Sequence, residues 1–276
     1  MAAHAIRRHG AQLTKAERRV TEVTFAVAAD AYDSFMGRYS VQLSAQLADL
    51  AGVTEGQRVL DVGCGPGALT GELVARLGAD AVTAVDPSES FVAAARERHS
   101  GVRVEQAAAE RLPFDDEAFD GALAQLVVHF MSDPVAGLCE IARVTRHGGV
   151  VTACVWDYGG GRGPASTFWR AVRTLDRDAD DESGLAGARA GHLAELFTAA
   201  GLAEVAEATL EASIEFASFD EWWEPYTLGV GPPGAYVAQL DTTARAALQA
   251  SCRRLLPHAP FTLTVHAWAA RGVVLP

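Results

Sequence analysis

The sequence predicts an α/β protein built on a doubly wound parallel sheet, and three observations carry that prediction. Between Arg58 and Trp156, short apolar runs alternate with amphipathic helical patterns. The first run, VLDV, opens into a glycine-rich turn, GCGPG, directly ahead of a helix. Two longer alternating runs near the end of the chain then add late strands, which brings the predicted sheet to seven.

Each element follows from its local pattern. RVLDVG (58–63) reads as a buried strand and ALTGELVARLG (68–78) as an amphipathic helix stopped by Gly78. AVTAVD (81–86) is the second strand. PSESFVAAARERH (87–99) is the helix behind it, with Ser88 at the N-cap. VRVEQA (102–107) and FDGALAQLVV (119–128) are strands three and four. In DPVAGLCEIARVTRHGG (133–149) Pro134 starts a helix and glycines end it, and GVVTACVW (149–156) is strand five. EVAEATLEASIEF (204–216) and FTLTVHAWAAR (261–271) alternate as strands, the latter with Thr262, Thr264 and His266 opposing Leu263, Val265 and Ala267.

Around this core, residues 21–50 read as two helices broken near Met36-Gly37, and GGGRGP (159–164) as a flexible break before a less regular region. AGHLAELFTAAG (190–201) is a helix stopped by glycine. Residues 218–258 are helical with a break at GVGPPG (229–234).

Composition bounds the function. A chain of 276 residues with 49% apolar content holds one sizeable core. No run of 18 apolar residues points to a membrane span. Residues 1–20 form a basic, loosely ordered leader with Arg7, Arg8, Lys15, Arg18 and Arg19 against Glu17, and no apolar segment follows to make a secretory signal. The net charge of −12 therefore rests on an even more acidic body, which repels phosphate backbones and argues against a nucleic-acid partner. Cys64, Cys139, Cys154 and Cys252 form no CxxC pair and suit a reducing, cytoplasmic setting; the scattered histidines suggest no metal site.

The glycine turn satisfies a relaxed dinucleotide fingerprint, Gly63-x-Gly65-x-x-Ala68, with Asp86 spaced to bind a ribose. Three features point elsewhere. Asp61 stands just before the glycines, where a pyrophosphate would meet like charge and an ammonium would be welcomed. Gly63, Gly65 and Gly67 flank Pro66 in a pattern suited to flat contact with a nucleoside. AAAERLPFDDEAFD (107–120) has no counterpart in the dinucleotide pattern.

VLDVGCGPG, the Asp86 that ends strand two, AAERLPF ahead of FDGALAQLVVHF, and a final antiparallel strand together resemble class I S-adenosylmethionine-dependent methyltransferases. The likeness is greater to the ubiquinone/menaquinone-biosynthesis type, which methylates small molecules. It covers residues 55–156, with weaker echoes in AYDSFMGRYS and the last strand. The resemblance implies a Rossmann-like methyltransferase core with a seven-stranded, mostly parallel sheet. It also implies an N-terminal helical lid at 21–50, and a domain at 51–276 with cap segments 157–190 and 218–258, the latter a helical cap between the last two strands.

Site roles follow from the resemblance. Gly63, Cys64, Gly65 and Gly67 would line the methionine and ribose of S-adenosylmethionine, and Asp61 would face its ammonium through water. Asp86, with Pro87 beside it, would accept the ribose hydroxyls. Ala109 would offer its N–H to adenine. Ala108 stands where many relatives carry an acid, which leaves Glu110 or backbone to receive the adenine amino group. Gln125 would approach the methionine, and Arg38 would reach its carboxylate from the lid. S-adenosylhomocysteine would be the product.

His129, just past strand four, is the candidate base. Trp222, Trp223 and Tyr226, with Tyr32 of the lid, are the candidate contacts to a small, partly apolar or aromatic acceptor carrying an O, N or C nucleophile. Each has a plainer reading. Asp86 also reads as a helix-start acid, Arg38 as an ion-pair partner and His129 as a packed histidine. Phe219, Trp222, Trp223 and Tyr226 fall at i, i+3, i+4 and i+7, a core stripe. Two other functions use the same loop: cofactor binding without methyl transfer, as in a scaffold or cyclase, and an NAD-type oxidoreductase, which Asp61 disfavours.

Overall fold

The computed structural model describes residues 29–179 and 181–276. The basic leader and residues 21–28 of the first helical pattern lie outside the described residues.

Seven strands form a single sheet in the order β3-β2-β1-β4-β5-β7-β6. They are β1 (Val59–Val62), β2 (Val82–Asp86), β3 (Arg103–Gln106), β4 (Phe119–Gln125), β5 (Thr145–Trp156), β6 (Ala203–Phe216) and β7 (Phe261–Val273). The first five run parallel, whereas β7 inserts antiparallel between β5 and β6. All four residues of β1 are buried, as an apolar central strand covered on both faces requires. Strand order reverses between β1 and β4, which opens a crevice at the carboxyl ends of these strands.

Helices α1 (Arg38–Ala51), α2 (Ala68–Leu77), α3 (Glu89–Arg98), α4 (Pro134–Val144), α5 (Ser166–Leu175) and α6 (His192–Ala199) cover the faces of the sheet. Three more, α7 (Phe219–Trp223), α8 (Gly231–Ala238) and α9 (Thr242–Leu255), connect β6 to β7.

The segment ahead of α1 shows no break at Met36-Gly37. A helical turn, Ala29–Tyr32, runs through a π-helical turn, Asp33–Gly37, into α1. Helix α1 then docks on the open edge of the sheet. Gln42 donates to Ser213 O (3.0 Å) and accepts from Ser213 N (3.0 Å), and Gln46 does the same with Glu211 (2.8 and 3.2 Å). Arg38 donates to Glu215 O at 3.3 Å. The registers match because four residues of helix rise about 6 Å and two residues of strand about 6.6 Å. Side-chain amides thus occupy backbone groups that an edge strand would otherwise offer to another chain.

Boundaries differ from the sequence reading where one residue decides them. Strand β4 stops at Gln125 because Leu126 takes a left-handed φ of 62°, and a short 3-10 turn, Val128–Phe130, follows. Helix α4 ends at Val144 rather than at the glycines, and Thr145 begins β5. The GPPG stretch starts α8 instead of breaking a helix, with prolines in its first turn. The less regular region after GGGRGP contains α5, which buries Phe168, Trp169, Ala171 and Val172.

Candidate active site

A cleft of about 580 Å³ opens at the carboxyl ends of β1, β2 and β4. Its floor is the glycine turn. Gly63 and Cys64 donate their N–H groups to Val85 O at 2.7 and 2.9 Å, which ties the turn to β2. Gly63, Gly65 and Gly67 have φ of 68°, 54° and 100°, the left-handed region in which a side chain is strained. A Cβ on Gly63 would meet Val127 Cγ2 at 2.3 Å, and one on Gly67 would meet His99 Nε2 at 2.5 Å. Gly65 differs: nothing lies within 4 Å of its Cβ position, and it lines the cleft. Glycine at 63 and 67 serves packing; at 65 it leaves bare backbone facing a ligand.

Asp86 fixes that backbone. One carboxylate oxygen accepts from Gly65 N (2.9 Å) and the other from Ser88 N (2.8 Å), which leaves further lone pairs toward the cleft. Burial pushes its pKa up to about 6, against the pull of the Ser88 and Gly65 amides.

Asp61 lies fully buried beneath the turn and is not part of the cleft wall. Its Oδ2 accepts from Thr70 Oγ1 at 2.6 Å, while Oδ1 has no partner among the described residues. Burial pushes this carboxyl up to about 7; the Thr70 hydroxyl opposes the shift and the Asp86 charge adds to it. An unpartnered buried carboxylate oxygen beside a ligand cleft suits a cationic or proton-donating group.

The other proposed residues divide. Tyr32, Pro87 and Gln125 line the cleft with Gly63, Gly65 and Asp86. Gln125 donates to Ser40 O at 3.1 Å and leaves its own Oε1 unpartnered. Cys64 is buried, and desolvation raises its thiol pKa, so it packs rather than reacts. Arg38 lies off the cleft wall, paired with Glu221 at 3.0 Å and stacked over Phe216. The Glu110 carboxylate is occupied by Ser132 N, Ser132 Oγ and Asp133 N at 2.7, 2.8 and 3.3 Å, which pins the loop before α4. Ala108, Ala109 and Glu110 do not line the cleft. Among the described residues no His/Cys/Asp/Glu group could hold a metal ion.

A second, smaller cavity of about 30 Å³ lies inward of the cleft and shares Tyr32, Leu126 and Phe130 with it. His129 lines this cavity with its ring 4.0 Å from that of Phe130. Burial lowers its pKa to about 3, so the imidazole is neutral, and Nδ1 has no partner among the described residues. Tyr158 and Glu182, which the sequence reading did not single out, line the same cavity.

Trp222, Trp223 and Tyr226 line neither space. They are 2%, 4% and 1% exposed and form an aromatic stack in which Tyr226 lies against Phe168 (4.8 Å) and Phe35 (4.9 Å). The stripe at i, i+3, i+4 and i+7 is a core face, and the Phe35 ring separates it from the cavity. Instead Phe91 and Phe130 give the cleft its aromatic wall; Phe91 packs edge-on to Tyr32 at 5.2 Å. The PSESF run at the start of α3 is the signal that could have found Phe91.

Residues 60–153, which contain the glycine turn, Asp86 and Gln125, match the family described as methyltransferase domain. The match spans about a third of the chain. A malonyl-[acyl-carrier protein] O-methyltransferase of Erwinia billingiae is 35% identical over 127 residues, 46% of this chain and 49% of the relative. A ubiquinone biosynthesis O-methyltransferase of Rhizobium leguminosarum is 43% identical over 101 residues, 35% of this chain and 39% of the relative. The chain spans about half the length of such relatives or less. A solved phosphoethanolamine N-methyltransferase of Haemonchus contortus, complexed with phosphomonomethylethanolamine and S-adenosylhomocysteine, superposes with a TM-score of 0.55 at 18% identity. That match covers 90% of this chain and 57% of the other and speaks for the fold.

Proposed function

We propose that the protein transfers a methyl group from S-adenosylmethionine to an O, N or C nucleophile of a small, partly apolar or aromatic metabolite. The observation that carries this reading is the pairing of an open Gly65 with two carboxylates of different kind. Asp86 is tied to backbone amides yet keeps acceptors free for ribose hydroxyls. Asp61 keeps an unpartnered oxygen beneath the turn, the acceptor an ammonium requires and a pyrophosphate does not. Gly63 and Gly67 hold the turn shut around them, while Pro87, Gln125 and Tyr32 close the walls.

When bound, the cofactor supplies a sulfonium-activated methyl group. The chain's own part is to orient and to exclude water. Tyr32, Phe91, Leu126 and Phe130 present apolar surface at the junction of cleft and cavity. His129, neutral and with Nδ1 unpartnered, can hydrogen-bond an acceptor held in the cavity; burial lowers its pKa to about 3, which makes it a weak base for removing a proton. The helical segment before α1 is the lid, because Tyr32 lines both spaces.

Calorimetry with S-adenosylmethionine, S-adenosylhomocysteine and NAD tests the binding half. Micromolar binding of the first two without the third is expected; tight NAD binding alone overturns the reading. Label transfer from S-adenosyl-[methyl-¹⁴C]methionine to pooled small metabolites tests the chemistry.

A further inference from the structure

The inner cavity holds a carboxylate that the fold itself does not require. Glu182 is 4% exposed, and one of its oxygens accepts from Trp169 Nε1 at 2.7 Å. Tyr158 lines the same cavity. The Trp169 indole is neutral, and among the described residues Glu182 forms no ion pair. Burial pushes its pKa up to about 7, against the pull of the Trp169 N–H, so the group is ionised only above that pH, and its charge, without a cation, is costly. Glutamine in its place could still accept from Trp169 without that cost. Glu182 also lines the cavity, in a wall that is mostly apolar (Phe35, Trp156 and Pro232 among others) apart from His129 and the Tyr residues.

We propose that Glu182 is the polar anchor of the methyl acceptor, receiving an O–H or N–H donor from a small aromatic or apolar molecule whose polar end enters the inner cavity. This assignment rests on the reading of the outer cleft as the cofactor's place. A space of about 30 Å³ accommodates on the order of two water-sized groups, so it takes the donor-bearing edge of a ligand and not a whole ring. The ring would lie in the shared mouth between Tyr32 and Phe130, where both spaces meet. His129 lines the same cavity from the opposite side of the chain order, so anchor and candidate base face one space. Glu182 discriminates because an ionised carboxylate makes strong hydrogen bonds to donors and is left desolvated by a ligand that has none, so the titration is run above pH 7, where the group is ionised.

The Trp169 indole N–H, bonded directly to Glu182, is a reporter that needs no turnover. In protein labelled with ¹⁵N at tryptophan, phenol and aniline are titrated while the Trp169 indole resonance is followed, with benzene as the probe lacking a donor. Phenol or aniline should move that resonance with an apparent Kd at least about tenfold below that of benzene, the scale for a hydrogen bond to a charged group. In Glu182→Gln the preference should shrink to within about twofold. A preference of equal size in the variant, or a Trp169 resonance insensitive to phenol and aniline in the wild type, overturns the assignment. S-adenosylmethionine affinity is measured on both proteins by calorimetry. Equal affinity shows that the variant is folded with its cleft intact. Absence of binding in the wild type would instead defeat the cofactor reading and leave the Trp169 titration as an independent result.

Discussion

Alanine at Gly63 and alanine at Gly65 should do different things, although the two positions are two residues apart in one turn. At Gly63, φ of 68° costs an alanine about 1–2 kcal/mol. The new Cβ would also lie 2.3, 2.7 and 3.0 Å from Val127 Cγ2, Cγ1 and Cβ. Rotating the valine about χ1 cannot clear a contact that includes its Cβ, so main chain must move, an overpacking cost of about 1–3 kcal/mol. Together Gly63→Ala should lose about 2–5 kcal/mol of stability. At Gly65 only the backbone term of about 1–2 kcal/mol applies, because nothing lies within 4 Å. Gly65 lines the cleft, and S-adenosylmethionine binding should weaken by about tenfold or more. Urea unfolding of each variant, together with Val127→Ala and the Gly63→Ala/Val127→Ala pair, reads the stabilities. The double-mutant cycle should return a favourable coupling of about 1–3 kcal/mol. Equal stability losses at 63 and 65, or a coupling indistinguishable from zero, would refute the assignment of one glycine to packing and the other to the ligand.

Gln42→Ala removes both hydrogen bonds to Ser213 on the sheet edge and should cost about 1–2 kcal/mol. Amide exchange at Ser213 should quicken, and unchanged exchange would show that α1 docks by other means. Asp61 carries a folded-state pKa raised by burial to about 7 from the ordinary 3.8, so the folded state holds a proton that the unfolded chain has released. Its contribution therefore favours folding at low pH and is lost as pH rises through 7. Asp61→Asn should flatten the decline of the urea midpoint between about pH 5 and 7.5, and an unaltered slope would move the shift elsewhere. His129, held down to about 3 by burial, should show no imidazole titration by NMR in the folded protein above about pH 4. A transition near 6.5 would mean that solvent reaches it.

The sheet and the glycine turn were legible because each is local. A buried strand, three glycines forced to positive φ and an acid at the end of the next strand are consecutive statements in the sequence. The chain from Arg58 to Trp156 follows them with shifts of only a few residues at ends such as Leu126 and Val144. What lies outside that stretch depends on tertiary partners. Arg38 carries a charge that a cofactor carboxylate could use, but Glu221 and Phe216 meet it first. Trp222, Trp223 and Tyr226 offered both a core stripe and an acceptor wall, and periodicity could not decide between them. The deciding partners are Phe168, on a helix hidden in an irregular stretch, and Phe35, in the π-helical turn. Glu182 gave no signal at all, since a glutamate among Asp180, Asp181 and Ser183 reads as a solvated turn.

Of the buried polar atoms that have no partner among the described residues, three, Asp61 Oδ1, Gln125 Oε1 and His129 Nδ1, belong to β1, β4 or the turn after β4, while others such as Thr152 Oγ1, Arg245 Nε and Trp268 Nε1 lie away from the cleft. Each costs about 1–3 kcal/mol if it stays unsatisfied. Gln125 Oε1 is an acceptor without a donor, so at this position the apo protein should gain where the bound protein loses. Gln125 is the sharpest test, because its Nε2 makes one hydrogen bond to Ser40 O while its Oε1 makes none. Gln125→Leu trades that bond, about 1 kcal/mol, against relief of the orphan acceptor and a gain in apolar burial. Stability should be unchanged or should rise by about 1 kcal/mol, while the affinity for S-adenosylmethionine falls by about tenfold. A variant that unfolds readily yet binds the cofactor as well as the wild type would reverse the roles. Gln125 would then be a brace between β4 and α1, and the unpartnered oxygen would be filled by water rather than by the ligand.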